Sequence, residues 1–299
     1  MERAVWYPMK SPDPRVGVVI ASRNRSKSLL RSLAELARVP ERPRIIVVDN
    51  GSNGGTPEEI ARLWPAVELI ALEENLGAAA RTVGAAALDT PYVAFSDSDS
   101  WWAPGALSRA ADCFDLHPDL AVVAARILVG DSGDVDPTCT AMARSPLPAR
   151  RDLPGPAVLG FVACGSVVRR TAFLDVGGFE PRFGVGAEEE LLAIDLAAAG
   201  WDLAYVDTVV AHHHPLPDSE RDGRRRALVR NALWTAWLRR PPARALNKTL
   251  VALRGAARDR HVAAALAEAV IGWRWIAANR RTVPPDLEAL LRLVDEPAA

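Results

Sequence analysis

No stretch of this 299-residue chain is apolar over the roughly 20 residues that a membrane span needs. Met1 to Pro14 lacks the apolar core of a secretory signal. Cysteine is scarce. Cys113, Cys139 and Cys164 are odd in number and lack ligand spacing, so neither a disulfide framework nor a cysteine-held metal is expected. These absences point to a reducing, cytoplasmic setting. The net charge of −1 and the lack of a recognised binding motif argue against a nucleic-acid partner.

Apolar content of 49% and charged content of 24% are ordinary for a soluble globular protein. The length allows one large domain, or one domain with an appendage. The charge is unevenly spread. From Pro215 onward there are 16 Arg and Lys against 9 Asp and Glu, while the preceding part has 20 against 28. A boundary is therefore expected at His214-Pro215, dividing an acidic part, 1–214, from a basic, tryptophan-bearing part, 215–299.

Val16 to Ala21 is an apolar run of the kind buried in a parallel sheet. Ser22-Arg23-Asn24-Arg25 follows, then a helical stripe with leucines at 29, 30, 33 and 36. Arg44 to Val48 is a second strand, ending in Asp49-Asn50-Gly51-Ser52. Pro57 to Trp64 reads as a helix capped by Thr56. Val67 to Leu72 is a third strand, Glu74 to Gly77 a turn, and Ala78 to Leu88 a helix carrying Arg81. Alternating strands and helices predict an α/β fold with a parallel sheet. Such sheets place ligands at the carboxyl ends of their strands. Asp49 lies at such an end, although Asp-Asn-Gly-Ser is also strong turn chemistry.

The stretch from Pro91 to Trp101 organises the rest. An apolar strand ends in Asp97-Ser98-Asp99. Residues spaced by two on an extended chain point the same way. Two such carboxylates repel each other unless a cation sits near them. Oxygen ligands suit Mg²⁺ or Mn²⁺, with a substrate diphosphate completing the shell. The competing reading is a polar turn in which Asp99 and Ser100 cap a helix opened by Pro104.

A further strand is expected at Leu120 to Ala125, and a strand pair or hairpin over Leu203 to Val210; Val158 to Val168 is apolar, with Gly165 allowing close approach of a ligand or marking a bulge. Gly130 to Pro156 reads as a long polar loop. Glu188-Glu189-Glu190 opens a helix closed by Gly200. The helix dipole favours these acids there, and one of them also suits a general base. In His212-His213-His214, alternation puts His212 and His214 on one side, as metal ligands or as a surface turn. Beyond Pro215, Arg221 to Leu238 reads as a basic amphipathic helix with Trp234 and Trp237, and two more helices follow, Ala243 to Arg258 and His261 to Asn279, the second with Trp273 and Trp275. They suit either a helical subdomain or dimer contact, or a peripheral position at the inner face of a membrane.

Taken in order, these signals resemble family 2 glycosyltransferases, which have a GT-A fold. The resemblance runs from Val16 to His214. It rests on Ala21-Ser22-Arg23-Asn24-Arg25, Val47 to Ser52, Glu74-Asn75-Leu76-Gly77, Arg81, Asp97-Ser98-Asp99, Gly177-Gly178-Phe179, Glu188-Glu189, Ala199-Gly200-Trp201 and the closing histidines. Arg230-Asn231-Ala232-Leu233-Trp234 resembles the tail of rhamnosyltransferase-like members. The resemblance implies a Rossmann-like, mostly parallel sheet with flanking helices and a C-terminal helical extension. It implies an inverting, metal-dependent transfer of sugar from a nucleotide-diphosphate-sugar, with UDP or dTDP as the favoured carrier. The acceptor would be a carbohydrate, a lipid-linked species or a small molecule.

The resemblance also implies roles. Ala21, Ser22, Arg23, Asp49, Arg81, Asp97 and Ser98 would contact the donor. Asp97, Asp99 and His212 would hold Mn²⁺ or Mg²⁺. Glu189, beside Glu188, would be the base that accepts the acceptor's proton. Four positions depart from the family pattern. Arg23 replaces a common tyrosine, Gly54 an aspartate, Thr82 an asparagine, and Glu189 the usual aspartate. A nucleotidyltransferase and a non-catalytic nucleotide-sugar binder are the alternatives. The first would need a Gly-rich, Lys- or Arg-bearing loop after the first strand, and none is there.

Overall fold

The apolar runs form the middle of one sheet. The structure, a computed structural model, describes residues 13–215 and 221–295. Its first half alternates β1 (Val16–Ser22), α1 (Ser26–Leu36), β2 (Ile45–Asn50), α2 (Thr56–Leu63), β3 (Glu68–Leu72), α3 (Ala80–Ala87) and β4 (Tyr92–Asp97). Then come β5 (Ser100–Trp102), α4 (Ala106–Leu116), β6 (Leu120–Val129), β7 (Asp134–Val135), α5 (Pro137–Ala143), β8 (Ser166–Arg169), α6 (Arg170–Asp175), α7 (Glu188–Ala198) and β9 (Asp202–His213). Five helices close the chain: α8 (Arg221–Arg239), α9 (Pro242–Ala256), α10 (Arg260–Ile271), α11 (Trp273–Asn279) and α12 (Pro285–Asp295).

The strand order is β3-β2-β1-β4-β8-β6-β9-β5, with β7 paired to β6. The four strands β3, β2, β1 and β4 are parallel, as are β6 and β9, whereas β8 and β5 run antiparallel to their neighbours. Register brings the polar strand ends into one row. Ser22 pairs with Asp49, and Ala21 with Asp97.

Alternation along β1 sends Val18 and Ile20 to one face and Val19 to the other. The first face is covered by Leu29, Leu33 and Leu36 of α1 and by Leu107 and Phe114 of α4. The opposite face is covered by Phe173, Phe179 and Leu192. A sheet buried on both faces needs apolar strands rather than alternating ones, which is what β1, β2 and β4 provide.

Several elements differ from the sequence reading. Ser100 does not cap a helix but begins β5, and α4 starts only after Gly105. Of the apolar stretch 158–168, Ser166 to Val168 lie in a strand, β8. The expected hairpin at 203–210 is one strand, β9, whose register against β6 slips between Val206 and Val210. The polar segment 130–156 contains β7 and α5, the latter capped by Asp136. The expected helix 261–279 breaks at Gly272. A side chain there would meet the Trp234 indole at 2.9 Å, so the glycine lets the tryptophan pack.

The C-terminal tryptophans divide. Trp234 and Trp275 pack edge-on, 5.5 Å apart, in a small core with Phe183, Leu191, Leu238 and Ile276. Trp237 packs against the same cluster. Trp273 is 60% exposed. Burial of aromatics at helical spacing, the plain reading of this segment, accounts for the first three.

Candidate active site

The row of strand ends is stitched together by short polar side chains. Asn24 holds a left-handed backbone, φ 53°. Its N–H donates to Ser52 Oγ at 2.9 Å, and its Oδ1 accepts from the Asn53 N–H at 2.8 Å. Asp49 is buried and closes the turn after β2, accepting from Ser52 Oγ at 2.5 Å and from the Ser52 N–H at 3.1 Å. The turn chemistry read in Asp-Asn-Gly-Ser is thus present. Asn50 reaches across to the next loop, accepting from the Leu76 N–H at 2.7 Å and donating to the Gly77 carbonyl at 2.9 Å.

Ala21, Ser22, Arg23 and Arg81 line one cleft of about 480 Å³, shared with Asn50, Gly77 and Val185. Ser22 Oγ and Arg81 Nε are buried there without a hydrogen-bond partner in the protein. Buried polar atoms are rarely left unpaired, so these two are suited to receive a polar ligand.

Arg81 is the hub. It is 8% exposed, and its Nη2 donates to Asp97 Oδ1. Burial works against its charge, but Asp97, Glu188 and Glu189 outweigh that and raise its pKa. These three acids therefore share one field, although they lie far apart in sequence.

The turn after β4 is fixed from three sides. The Asp97 N–H donates to Ser100 Oγ at 2.7 Å, Ser32 Oγ donates to the Ser98 carbonyl at 2.9 Å, and the His214 N–H donates to the Asp99 carbonyl at 2.8 Å. His213 Nε2 stands 3.7 Å from Asp99 Oδ1. His212 instead stacks on Trp101 at 5.7 Å, with His214 on the same indole at 4.6 Å. Alternation was thus read correctly, but the imidazole it places against Asp99 is that of His213, not His212. Burial lowers the pKa of both His212 and His214.

The glutamates open α7 after an unusual loop. Gly184, Gly186 and Ala187 all have positive φ, and Ala187 at 60° is strained for a residue with a Cβ. Glu188 Oε2 accepts from the Gly186 N–H, folding back to close the helix start. Glu189 Oε1 accepts from the Ala163 N–H at 3.2 Å. Burial, and after it the charge of Glu188, pushes the Glu189 carboxyl up to about 7. Burial also raises Glu188, with Arg81 opposing. Glu190 faces the other way, 3.5 Å from Lys248 of α9.

Two positioning residues escaped the sequence reading as such. Arg230 Nη2 donates to the Phe183 carbonyl at 2.9 Å. Asn231, fully buried, donates to the carbonyls of Phe183 at 2.9 Å and Gly186 at 2.6 Å. Together they hold the loop that sets the glutamates. The available signal was a polar Asn three residues before Trp234, on the helix face that should be apolar. On the other side of the sheet row, Gly77 completes the same loop. A Cβ there would lie 2.5 Å from the Gly184 backbone, and the Ala78 N–H donates to the Gly184 carbonyl at 2.7 Å.

Among the described residues, no group of three or more His, Cys, Asp and Glu is arranged to enclose a metal ion. The cysteines are free thiols, and burial raises the pKa of each.

Comparison with known proteins identifies the family and the fold. The family model for Glycosyl transferase family 2 matches residues 17–177. The chain is 30% identical over 240 residues to an N-acetylglucosaminyl-diphospho-decaprenol L-rhamnosyltransferase of Mycobacterium tuberculosis, covering 69% of this chain and 78% of that protein. A mannosyltransferase from Pyrobaculum calidifontis, solved with GDP-Man and Mn²⁺, superposes with TM-score 0.58 at 19% identity, over 94% of this chain and 81% of that one. TarS of S. aureus gives TM-score 0.53 at 18% identity over 73% of this chain, which spans 40% of the TarS chain. These likenesses fix the GT-A fold and set aside the nucleotidyltransferase and non-catalytic alternatives. The chain belongs to glycosyl transferase family 2 and is a glycosyltransferase.

Proposed function

We propose that the protein transfers a sugar from a nucleotide-diphosphate-sugar, with UDP or dTDP as carrier, to an acceptor hydroxyl with inversion at the anomeric carbon. The observation that carries this reading is Glu189. Its carboxyl is held near pH 7 beside the Arg81–Asp97 pair at the strand ends. A general base works best when its pKa lies near the working pH.

The chain's own residues divide the work. The cleft of Ala21, Ser22, Arg23 and Arg81 takes the nucleotide, with Ser22 Oγ and Arg81 Nε as donors that have no protein acceptor. Asp49 sets the Ser52 turn beside it, and Ser98 fixes the Asp97–Asp99 turn. Glu189 takes the proton of the attacking acceptor hydroxyl at a carboxylate oxygen. Glu188 keeps Glu189 basic by its charge and orders the start of α7.

Asp97 is neutralised by Arg81, so Asp99 with His213 beside it is the better-placed pair for Mn²⁺ or Mg²⁺. With so few protein ligands, the fit is to an ion shared with a donor's diphosphate, which is how Mg²⁺ is commonly held. When bound, such an ion neutralises the charge of the departing diphosphate. The acceptor is proposed to be lipid-linked, since the rhamnosyltransferase relative is named for a diphospho-decaprenol acceptor.

Thermal-shift screening against UDP, dTDP and GDP, each with and without Mn²⁺, tests the donor site. One nucleotide should stabilise the protein, and more so with metal. NMR of the transferred sugar then reads the anomeric configuration. Retention, or no stabilisation by any of the three, overturns the reading.

A further inference from the structure

In 13–215 the exposed large apolar side chains are Leu116, Val135 and Val185, scattered singly, whereas the C-terminal helices expose many more. Leu246, Leu250, Val251 and Leu253 on α9 are 52%, 42%, 57% and 52% exposed. Val270 and Ile271, which end α10, are 68% and 82% exposed, and Trp273 follows at 60%. Leu246, Leu250 and Leu253 are spaced i, i+4, i+7 and form one row on α9. Val251 and Arg254 belong to the next row, and Arg258 follows just beyond the end of the helix. Apolar patches of this kind on a protein surface mark a place of contact.

Charge says what the contact is. From residue 242 to 281 there are eight Arg and Lys and only two acids, Asp259 and Glu268. Both acids are already paired from α8: Arg225 meets Asp259 at 2.6 Å, while Arg226 and Arg230 meet Glu268 at 3.0 and 3.3 Å. Arg254, Arg258, Arg260 and Arg274 are exposed, and the Arg274 guanidinium lies 5.7 Å from the centre of the exposed Trp273 ring. Among the described residues no helix is long and apolar enough to cross a membrane.

We infer that α9, α10 and the start of α11 form a docking surface for an anionic lipid bilayer. Apolar side chains with arginines on their flank and a tryptophan beside them suit the headgroup boundary. Each arginine or lysine adds attraction to an anionic leaflet. A second copy of the chain is the weaker occupant. A two-fold interface sets a patch against itself, and here that would bring arginine rows together with no acids between them. Lys248 of α9 lies 3.5 Å from Glu190 of α7, so the surface adjoins the helix that carries Glu189 without entering the site. The inference goes beyond the proposed reaction and does not depend on it.

The test is vesicle sedimentation of the full chain, without nucleotide or metal. Phosphatidylcholine vesicles with phosphatidylglycerol are compared with phosphatidylcholine alone. Binding to the anionic vesicles should be about tenfold stronger or more, and should fall on going from about 0.1 to about 0.5 M salt. The triple variant Leu250→Glu/Ile271→Glu/Trp273→Glu should lose about tenfold or more of that binding, with unfolding temperature and UDP stabilisation unchanged. Equal binding to both vesicle types, or a variant that binds like the wild type, overturns the inference. So does the absence of vesicle binding together with a dimer, seen by sedimentation equilibrium, that the same variant dissociates. Nucleotide stabilisation is read separately, so failure here leaves the reaction standing.

Discussion

Replacing Glu189 with Gln should make the protein more stable and nearly inactive. The carboxyl sits at about 7 in the folded chain against an ordinary value of 4.5. For an acid, a raised folded pKa means that the folded state keeps a proton which the unfolded chain has lost. Stability therefore falls as pH rises from about 4.5 to about 7 and stays reduced above that. The gap of 2.5 between those two values corresponds to about 3 kcal/mol, an upper figure for the cost of holding the charge there. Glutamine has the same shape and no charge, and its Oε1 can still accept from the Ala163 N–H. At pH 8 the variant should then gain up to about 6 °C in Tm, at about 2 °C per kcal/mol for a chain of this size. Near pH 5 only about a quarter of the gain should remain. Turnover of the donor should fall by about 10²- to 10⁴-fold. Differential scanning fluorimetry across pH 5 to pH 8 reads the first effect, and nucleotide release the second. A variant whose Tm follows the wild type at pH 8, or whose advantage grows toward acid, would refute the claim that Glu189 carries a desolvated charge.

His213→Ala should raise the Mn²⁺ concentration needed for half-maximal activity by about tenfold, as expected for loss of a group beside a metal ligand. His212→Ala, which loses only its stack on Trp101, should leave that concentration nearly unchanged; a Mn²⁺ titration of both separates them. Arg240 and Glu288 form a buried pair at 2.6 Å, with side chains 6% and 5% exposed. Arg240→Met should cost about 3 kcal/mol in urea unfolding, because the glutamate stays buried with, among the described residues, Arg292 and Arg244 nearby. Adding Glu288→Leu should recover most of that loss, and no recovery would show that the pair does more than compensate its own burial.

The parallel half of the sheet was legible because its signal is local. β1, β2 and β4 are apolar throughout, and the polar residue ending each strand says where the sheet stops. Leu29, Leu33 and Leu36 of α1 declare their buried face by spacing alone. What was hidden depends on distant partners. Ser100–Trp102 is three residues long and is a strand only because β9 runs beside it. The direction of β8 is nowhere in Ser166–Arg169 itself, which pairs antiparallel with both β4 and β6. Alternation put His212 and His214 on one side, but which side faces Asp99 is set by the register Trp101 to His212. The pairing of Arg81 with Asp97 spans 16 residues, and no spacing rule announces it. Glu189 is recognisable from its neighbours, but its raised pKa comes from burial, which only the folded chain supplies.

The grip of Asn231 on the carbonyls of Phe183 and Gly186 bears on how the protein can be cut. The composition break at Pro215 invites truncation there, on the view that everything catalytic lies upstream. Such a fragment would keep its strand ends yet release two backbone oxygens from the Asn231 amide, just where the chain turns toward Glu189. The helical tail is thus a brace for the acid's doorstep as much as an appendage, and the two halves of the charge map are mechanically one enzyme.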